Sequence, residues 1–131
     1  MLHLHHVALG AHDVEALANF YRQAFDLLEV ARHDDARGVL RSVWLGLARD
    51  AVLMIERTAE CRAPVHGVGA GPFLLAFSVP ANERQNRERL LEALGAAIES
   101  RGEYSSYARD PEGNRVALST YPLAMPTEAP T

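Results

Sequence analysis

The sequence predicts an α+β fold made of two tandem βαβββ modules, and three observations predict it. The hydropathy pattern runs strand, helix, strands, and then runs through the same order again. The two series are separated by Ala59 to Pro72, a stretch without periodicity that holds two Pro and three Gly. The halves also share local text. His6-Val7-Ala8-Leu9 matches Leu74-Leu75-Ala76-Phe77 in pattern, and Ala48-Arg49-Asp50 recurs as Ala108-Arg109-Asp110, each just before the last strand of its half. Chance recurrence in an ordinary α+β domain is the competing reading; duplication of one unit accounts for more of the text.

The elements follow in order. Leu2 to Leu9 reads as a strand, with Leu4, His6 and Ala8 on one face and His3, His5, Val7 and Leu9 on the other. Asp13 is a helix N-cap. Val14, Leu17, Ala18, Tyr21, Ala24 and Phe25 follow at helical spacing, and the helix ends near Asp26 to Leu28. Leu28 to His33 is a short strand, Asp34 to Gly38 a turn, and Val39 to Leu47 a strand with Ser42, Trp44 and Gly46 on one face. Arg49-Asp50 is a tight turn before the strand Ala51 to Arg57, on which Val52, Met54 and Glu56 share a side. In the second half, Phe73 to Val79 is an apolar strand. A helix runs from about Glu83 to Ser100 with Leu90, Leu91, Leu94, Ala97 and Ile98 as its buried stripe, and Gly102 ends it. Tyr104 to Arg109 and Arg115 to Thr120 are strands joined by the turn Asp110-Pro111-Glu112-Gly113-Asn114. One domain therefore covers about 2–121, with a first module at about 2–58, a linker at about 59–72 and a second module at about 73–121. The Pro-rich tail 122–131 is a frayed end.

Composition narrows the function classes. The chain has 131 residues, 48% hydrophobic and 23% charged, which is ordinary globular usage and enough to bury a core without staples. All thirteen basic residues are Arg; with no Lys, Schiff-base chemistry and a phosphate-loop lysine are excluded. A net charge of −4 with scattered Arg leaves no nucleic-acid footprint. Cys61 is the single cysteine, so no internal disulfide forms. The N-terminus lacks a basic region and a long apolar run, and no stretch approaches a membrane span, so the expectation is a cytoplasmic protein.

Three segments resemble the vicinal oxygen chelate superfamily, which includes glyoxalase I, extradiol dioxygenases, fosfomycin resistance enzymes and bleomycin resistance proteins. They are Leu4 to Leu9, Asp13 to Leu27, and Asp110 to Leu118, the last carrying Asp-Pro-Glu-Gly-Asn. Asp26 stands where the family commonly has Gly. The resemblance covers about residues 2–121. It implies two βαβββ modules curled into an open, cup-like sheet with the site on the concave face, and a homodimer as the expected assembly, some members building each cup from two chains.

Metal-using members of that superfamily draw ligands from four matching strand positions around one divalent ion that binds substrate oxygens as a Lewis acid. Carried over one at a time, these positions fall on His6, Met54, Leu74 and Ala117. His6 alone is a metal-binding residue type of the expected kind. No cofactor is therefore favoured, and a divalent ion held by His6 with Glu56 or His66 as stand-ins is the alternative. His3 and His5 lie on the opposite face from His6, so the His-rich start is no chelating cluster.

Strand periodicity then supplies a lining for the cup: Leu4, His6 and Ala8; Ser42, Trp44 and Gly46; Val52, Met54 and Glu56; Leu74, Ala76 and Ser78; Ser105, Tyr107 and Arg109; Ala117 and Ser119. The lining is mostly apolar, with Trp44 and Tyr107 as aromatics and His6, Glu56, Ser105 and Arg109 as polar groups, which suits a small apolar or aromatic ligand. Core packing is the competing role for Trp44 and Tyr107, and a solvated rim position for Arg109. Three functions follow: metal-free binding or sequestration of such a ligand; a lyase, isomerase, dioxygenase or thiol transferase, metal-dependent or using His6 or Glu56 as general base; or an interaction module whose cup is closed by Trp44, Met54 and Leu74. Other chemistry is absent from the text. No serine sits in a nucleophile elbow, Gly67 to Gly71 does not join a strand to a helix, Arg84 to Arg89 is the exposed face of a helix start, and Cys61 reads as a bystander thiol with no predictable His partner.

Overall fold

The computed structural model describes residues 2–61 and 63–124, so the tail assigned to 122–131 lies outside the described residues from 125 onward. The chain order is β1 (His6–Ala11), α1 (Val14–Phe25), β2 (Glu29–Asp34), β3 (Leu40–Gly46), β4 (Val52–Arg57), β5 (Leu75–Ser78), α2 (Arg84–Ala93), β6 (Ser100–Arg101), β7 (Ser105–Arg109) and β8 (Arg115–Ser119). Each half is one βαβββ unit. The strands pair in the order β1-β4-β3-β2 in the first sheet and β5-β8-β7-β6 in the second, the same topology twice. In both, the first strand pairs parallel with the last, and the other neighbours are antiparallel.

Local chemistry sets the element ends. Asp13 caps α1 by accepting from the Ala16 amide at 2.9 Å. Asp26 closes the helix in the left-handed region at φ 57°, the conformation that favours Gly. Its carboxylate bonds Arg87 of α2, and that bond holds the Asp26 carboxyl below its ordinary range. α2 is shorter than its apolar spacing predicts. It stops at Ala93, because Gly95 at φ 86° carries a Schellman closure: the Ala96 amide donates to Leu91 O at 2.8 Å and the Gly95 amide to Glu92 O at 3.0 Å. The chain then runs extended into β6, so Gly95 rather than Gly102 ends the helix, and Ala97 is exposed. The first strand is likewise shifted. It begins at His6, and Leu2 and Leu4 are 99% and 57% exposed, so Leu4 is no part of a cup wall. A strand extends only as far as its partner, and β4 begins at Val52, opposite His6.

Each sheet buries one face against helices. Val43, Leu45, Leu53 and Ile55 meet Leu17, Phe20 and Tyr21 of α1; Ser106, Ala108, Val116 and Leu118 lie beneath the second sheet, where Glu88 of α2 accepts from Ser106 Oγ at 2.8 Å. α1 also ties the modules together. Phe25 stacks on Phe77 with ring centroids 3.9 Å apart, and the Tyr21 hydroxyl donates to Asp110 Oδ2 at 2.7 Å across 89 residues. The buried cluster is continuous through both modules. Among the described residues no helix is long and apolar enough to cross a membrane.

Candidate functional site

The face of the first sheet turned away from α1 is read off the register in rows. His6, Val52 and Gly46 form one row; Ala8, Met54, Trp44 and Ala31 the next; Gly10, Glu56, Ser42 and His33 the third. Alternation in the sequence placed Trp44, Met54, Glu56 and His6 on this face, and all four lie there. Trp44, Met54 and Glu56 are half-buried, and His6 is exposed with Nδ1 2.9 Å from Nδ1 of His5. Glu56 is occupied. Trp44 Nε1 donates to Ser42 Oγ at 2.7 Å, and Ser42 Oγ donates to Glu56 Oε1 at 3.0 Å, so the hydroxyl relays between indole and carboxylate. The His33 ring stands edge-on to Trp44 at 4.8 Å.

On the second sheet the corresponding face holds Ala76, Ser78, Ala117, Ser119, Ser105, Tyr107, Arg109 and Arg115. Ser105 Oγ sits 3.5 Å from Ser119 Oγ. Arg109 is spent on protein partners: its Nε is 2.8 Å from Glu99 Oε1 and its Nη1 donates to Gly113 O at 2.9 Å. Arg115 lies opposite Arg109 in the register. It belongs to the alternation that runs through Ala117 and Ser119, and extending that alternation by one step finds it from sequence.

The residues do not fit the divalent centre that the fold family implies. Met54, Leu74 and Ala117 carry no hard donor, and among the described residues no group of three or more His, Cys, Asp or Glu side chains is placed to hold an ion. Nor does Glu56 substitute. It stands four residues beyond Val52, the register partner of His6, which is about 13 Å along the sheet at about 3.3 Å per residue. The two side chains point to the same face but cannot both reach ligand distance of about 2 Å from one ion. His66 lies in the linker, where its carbonyl accepts from Arg115.

The modules meet around a cavity of about 570 Å³ bordered by Ala8, Gly10, His12, Cys61, Leu74 and Arg115, with Phe73 and Asn114 beside them. Of the residues expected to line a site, Leu74 and Ala8 border this cavity, whereas Trp44, Met54, Glu56, Ser105, Tyr107 and Arg109 lie outside its wall. His12 and Cys61 are 49 residues apart and meet here, Nε2 to Sγ 3.5 Å. The same Nε2 lies 2.6 Å from Glu60 O. A carbonyl only accepts, so Nε2 carries the proton and offers Cys61 a donor rather than a base. Nothing in the sequence signals this meeting. A second cavity, about 470 Å³, lies beside Phe25, Phe77 and Arg87 and takes in Gly46 and Ser78 of the expected lining, but not His6, Trp44, Glu56, Ser105, Tyr107 or Arg109.

The topology and the modular repeat are matched by known proteins. A family model described as a glyoxalase-like domain matches residues 6–119. The chain belongs to the glyoxalase-like domain family. With it come membership of the vicinal oxygen chelate superfamily and the two-module fold expected from sequence. This glyoxalase-like domain is similar in structure to the fosfomycin resistance protein FosX of Mesorhizobium loti, with TM-score 0.77, 20% identity and 94% of each chain covered. It is also similar to a lactoylglutathione lyase of Agrobacterium tumefaciens, with TM-score 0.65, 26% identity, and 89% of this chain and 92% of that one covered. A mutant FosX from Listeria monocytogenes, complexed with Mn(II) and 1S,2S-dihydroxypropylphosphonic acid, aligns at TM-score 0.78 and 18% identity over 94% and 95% of the two chains. No curated protein matches the chain significantly.

Proposed function

We propose that this glyoxalase-like domain binds or sequesters a small apolar or aromatic molecule on its concave faces, as bleomycin resistance proteins do, without using a divalent metal. The observation that carries the reading is the residue set at the four positions where the superfamily places its ligands: His6 with Met54, Leu74 and Ala117. An apolar wall serves burial of an organic body and does not serve Lewis-acid chemistry. Trp44, Met54 and Tyr107 present half-buried surface on the two faces, which supports an aromatic or drug-like guest. We also propose a cytoplasmic homodimer, in which a partner's sheet completes a cup.

The alternative is a lyase, dioxygenase or thiol transferase with His6 as one metal ligand. Its support is the Mn(II) in the Listeria FosX complex and the lyase name of the Agrobacterium neighbour. Elemental analysis of untagged protein, after dialysis against mixed divalent ions, separates the two. The expected result is no stoichiometric metal, together with thermal stabilisation by members of an aromatic compound panel. Near-stoichiometric Ni, Zn, Mn or Fe that disappears in His6→Ala overturns the proposal.

A further inference from the structure

We propose that the 570 Å³ cavity between the modules takes a small organic acid, with Arg115 binding its carboxylate. The inference deepens the small-molecule reading and rests on it for the cavity being a binding site. Arg115 borders the cavity between two aromatic faces, its guanidinium carbon 4.7 Å from the Phe73 centroid and 5.0 Å from that of Tyr107. Two ring faces hold a guanidinium by cation–π attraction and fix its plane, which leaves the N–H edge as its binding surface.

That edge is undersupplied. Among the described residues no carboxylate lies within ion-pair distance of Arg115, in a chain that carries seventeen acids. Its register partner Arg109 has Glu99. The hydrogen bond described for Arg115 runs from Nη1 to His66 O at 3.1 Å, and its Nε is buried without an acceptor. Arg115 is half-buried, and a guanidinium with an unfilled donor is a ready partner for an anion that accepts from it. Two acids border the cavity. Glu112 is turned to the start of α1, its Oε1 accepting from the His12 amide at 2.9 Å and its Oε2 from the Asp13 amide at 3.5 Å, and Glu60 is exposed. Ala8, Phe73 and Leu74 make the adjoining wall apolar, so the anion that fits carries a carbon body, and a carboxylate matches the planar fork in two parallel bonds.

The test compares benzoate with benzamide, its neutral counterpart of the same shape, by calorimetry and by amide NMR signals of Ala8 and Gly10. Benzoate is expected to bind at least about tenfold tighter, and Arg115→Met to remove that preference. The Arg115 Nε–H resonance of the wild type is expected to shift on benzoate and not on benzamide, which needs no variant to fold. Arg115→Lys, which keeps charge and loses the fork, is expected to bind benzoate more weakly than wild type. Equal binding of the two probes, or a preference that survives Arg115→Met, overturns the acid subsite and leaves the small-molecule reading standing. Binding of neither probe overturns both for this cavity.

Discussion

Replacing Tyr21 by Phe removes one hydroxyl and keeps the ring that packs between Phe20, Phe25 and Phe77. That hydroxyl is the buried link between α1 and the β7–β8 turn. Asp110, 4% exposed, accepts from it at 2.7 Å, and from the Glu112 amide, the Asn114 amide and Asn114 Nδ2 at 2.9 Å each. A hydrogen bond to a charged acceptor contributes about 1.5–3 kcal/mol. Because three donors remain on Asp110, the loss belongs in the lower part of that range, about 2 kcal/mol, or about 6–10 °C in Tm for a domain of this size. Alkaline pH supplies a second reading. Burial first, and then the Asp110 charge, push the Tyr21 phenol above its ordinary value of about 10. The folded state therefore holds this proton after the unfolded chain releases it. The resulting stability is complete below about pH 10 and declines as pH rises, by about 1.4 kcal/mol at about pH 11. The phenylalanine ring has nothing to ionise, so the gap between wild type and Tyr21→Phe narrows by that amount over the interval. Urea unfolding followed by circular dichroism at neutral and alkaline pH reads both quantities. Stabilities equal to within about 0.5 kcal/mol at neutral pH, or a gap that stays constant into alkali, refute the reasoning.

Gly95→Ala forces a side chain into φ 86° at the closure of α2 and is expected to cost about 1 kcal/mol in urea unfolding. Phe77→Ala removes the ring that stacks on Phe25; for a half-buried aromatic, a loss of about 2–3 kcal/mol is expected, read by the same unfolding curves. The Arg57 hydrogen bond, followed by the Val39 and Arg37 amides, holds the Asp35 carboxyl below its ordinary value of about 3.9. Its contribution is therefore present above about pH 4 and lost as pH falls through the lower folded value, so Asp35→Asn is expected to flatten the acid limb of a Tm-against-pH curve.

The parts of the fold legible in the sequence are those decided within one turn or one strand. Asp13 is a cap because its oxygen reaches the amide three residues on. The left-handed end at Asp26 sits where the resemblance has Gly. Alternation alone put Trp44, Met54, Glu56, Tyr107 and Arg109 on the faces turned from the helices. What misled were patterns that continue past their physical limit. Ala97 and Ile98 prolong the helical period beyond Gly95, and Leu2 and Leu4 prolong the strand alternation beyond the reach of β4. Illegible were the meetings between distant segments: His12 with Cys61, and Arg115 with Phe73 and the His66 carbonyl. The linker carries Cys61 and His66 and has no period from which its path could be drawn.

The rows of the first sheet also decide what Glu56 is for. Met54 stands where the resemblance carries a ligand over, and Glu56 is one row further from His6, where its register partner on β1 is Gly10. A shift of two residues keeps the face and changes the neighbour. Glu56 accepts from Ser42, which in turn accepts from Trp44, so its structural effect is to orient the indole rather than to complete a ligand set with His6. Glu56→Gln keeps an acceptor of the same shape, so the Ser42 and Trp44 bonds survive and stability is expected to change by less than about 1 kcal/mol, with Trp44 emission unmoved. Ser42→Ala removes the relay, leaves the indole N–H without its acceptor, and is expected to shift that emission while Glu56→Gln does not. If the wild type retains a divalent ion that both Glu56→Gln and His6→Ala lose, the row argument fails, because the two residues would then share one ion across two rows of the sheet.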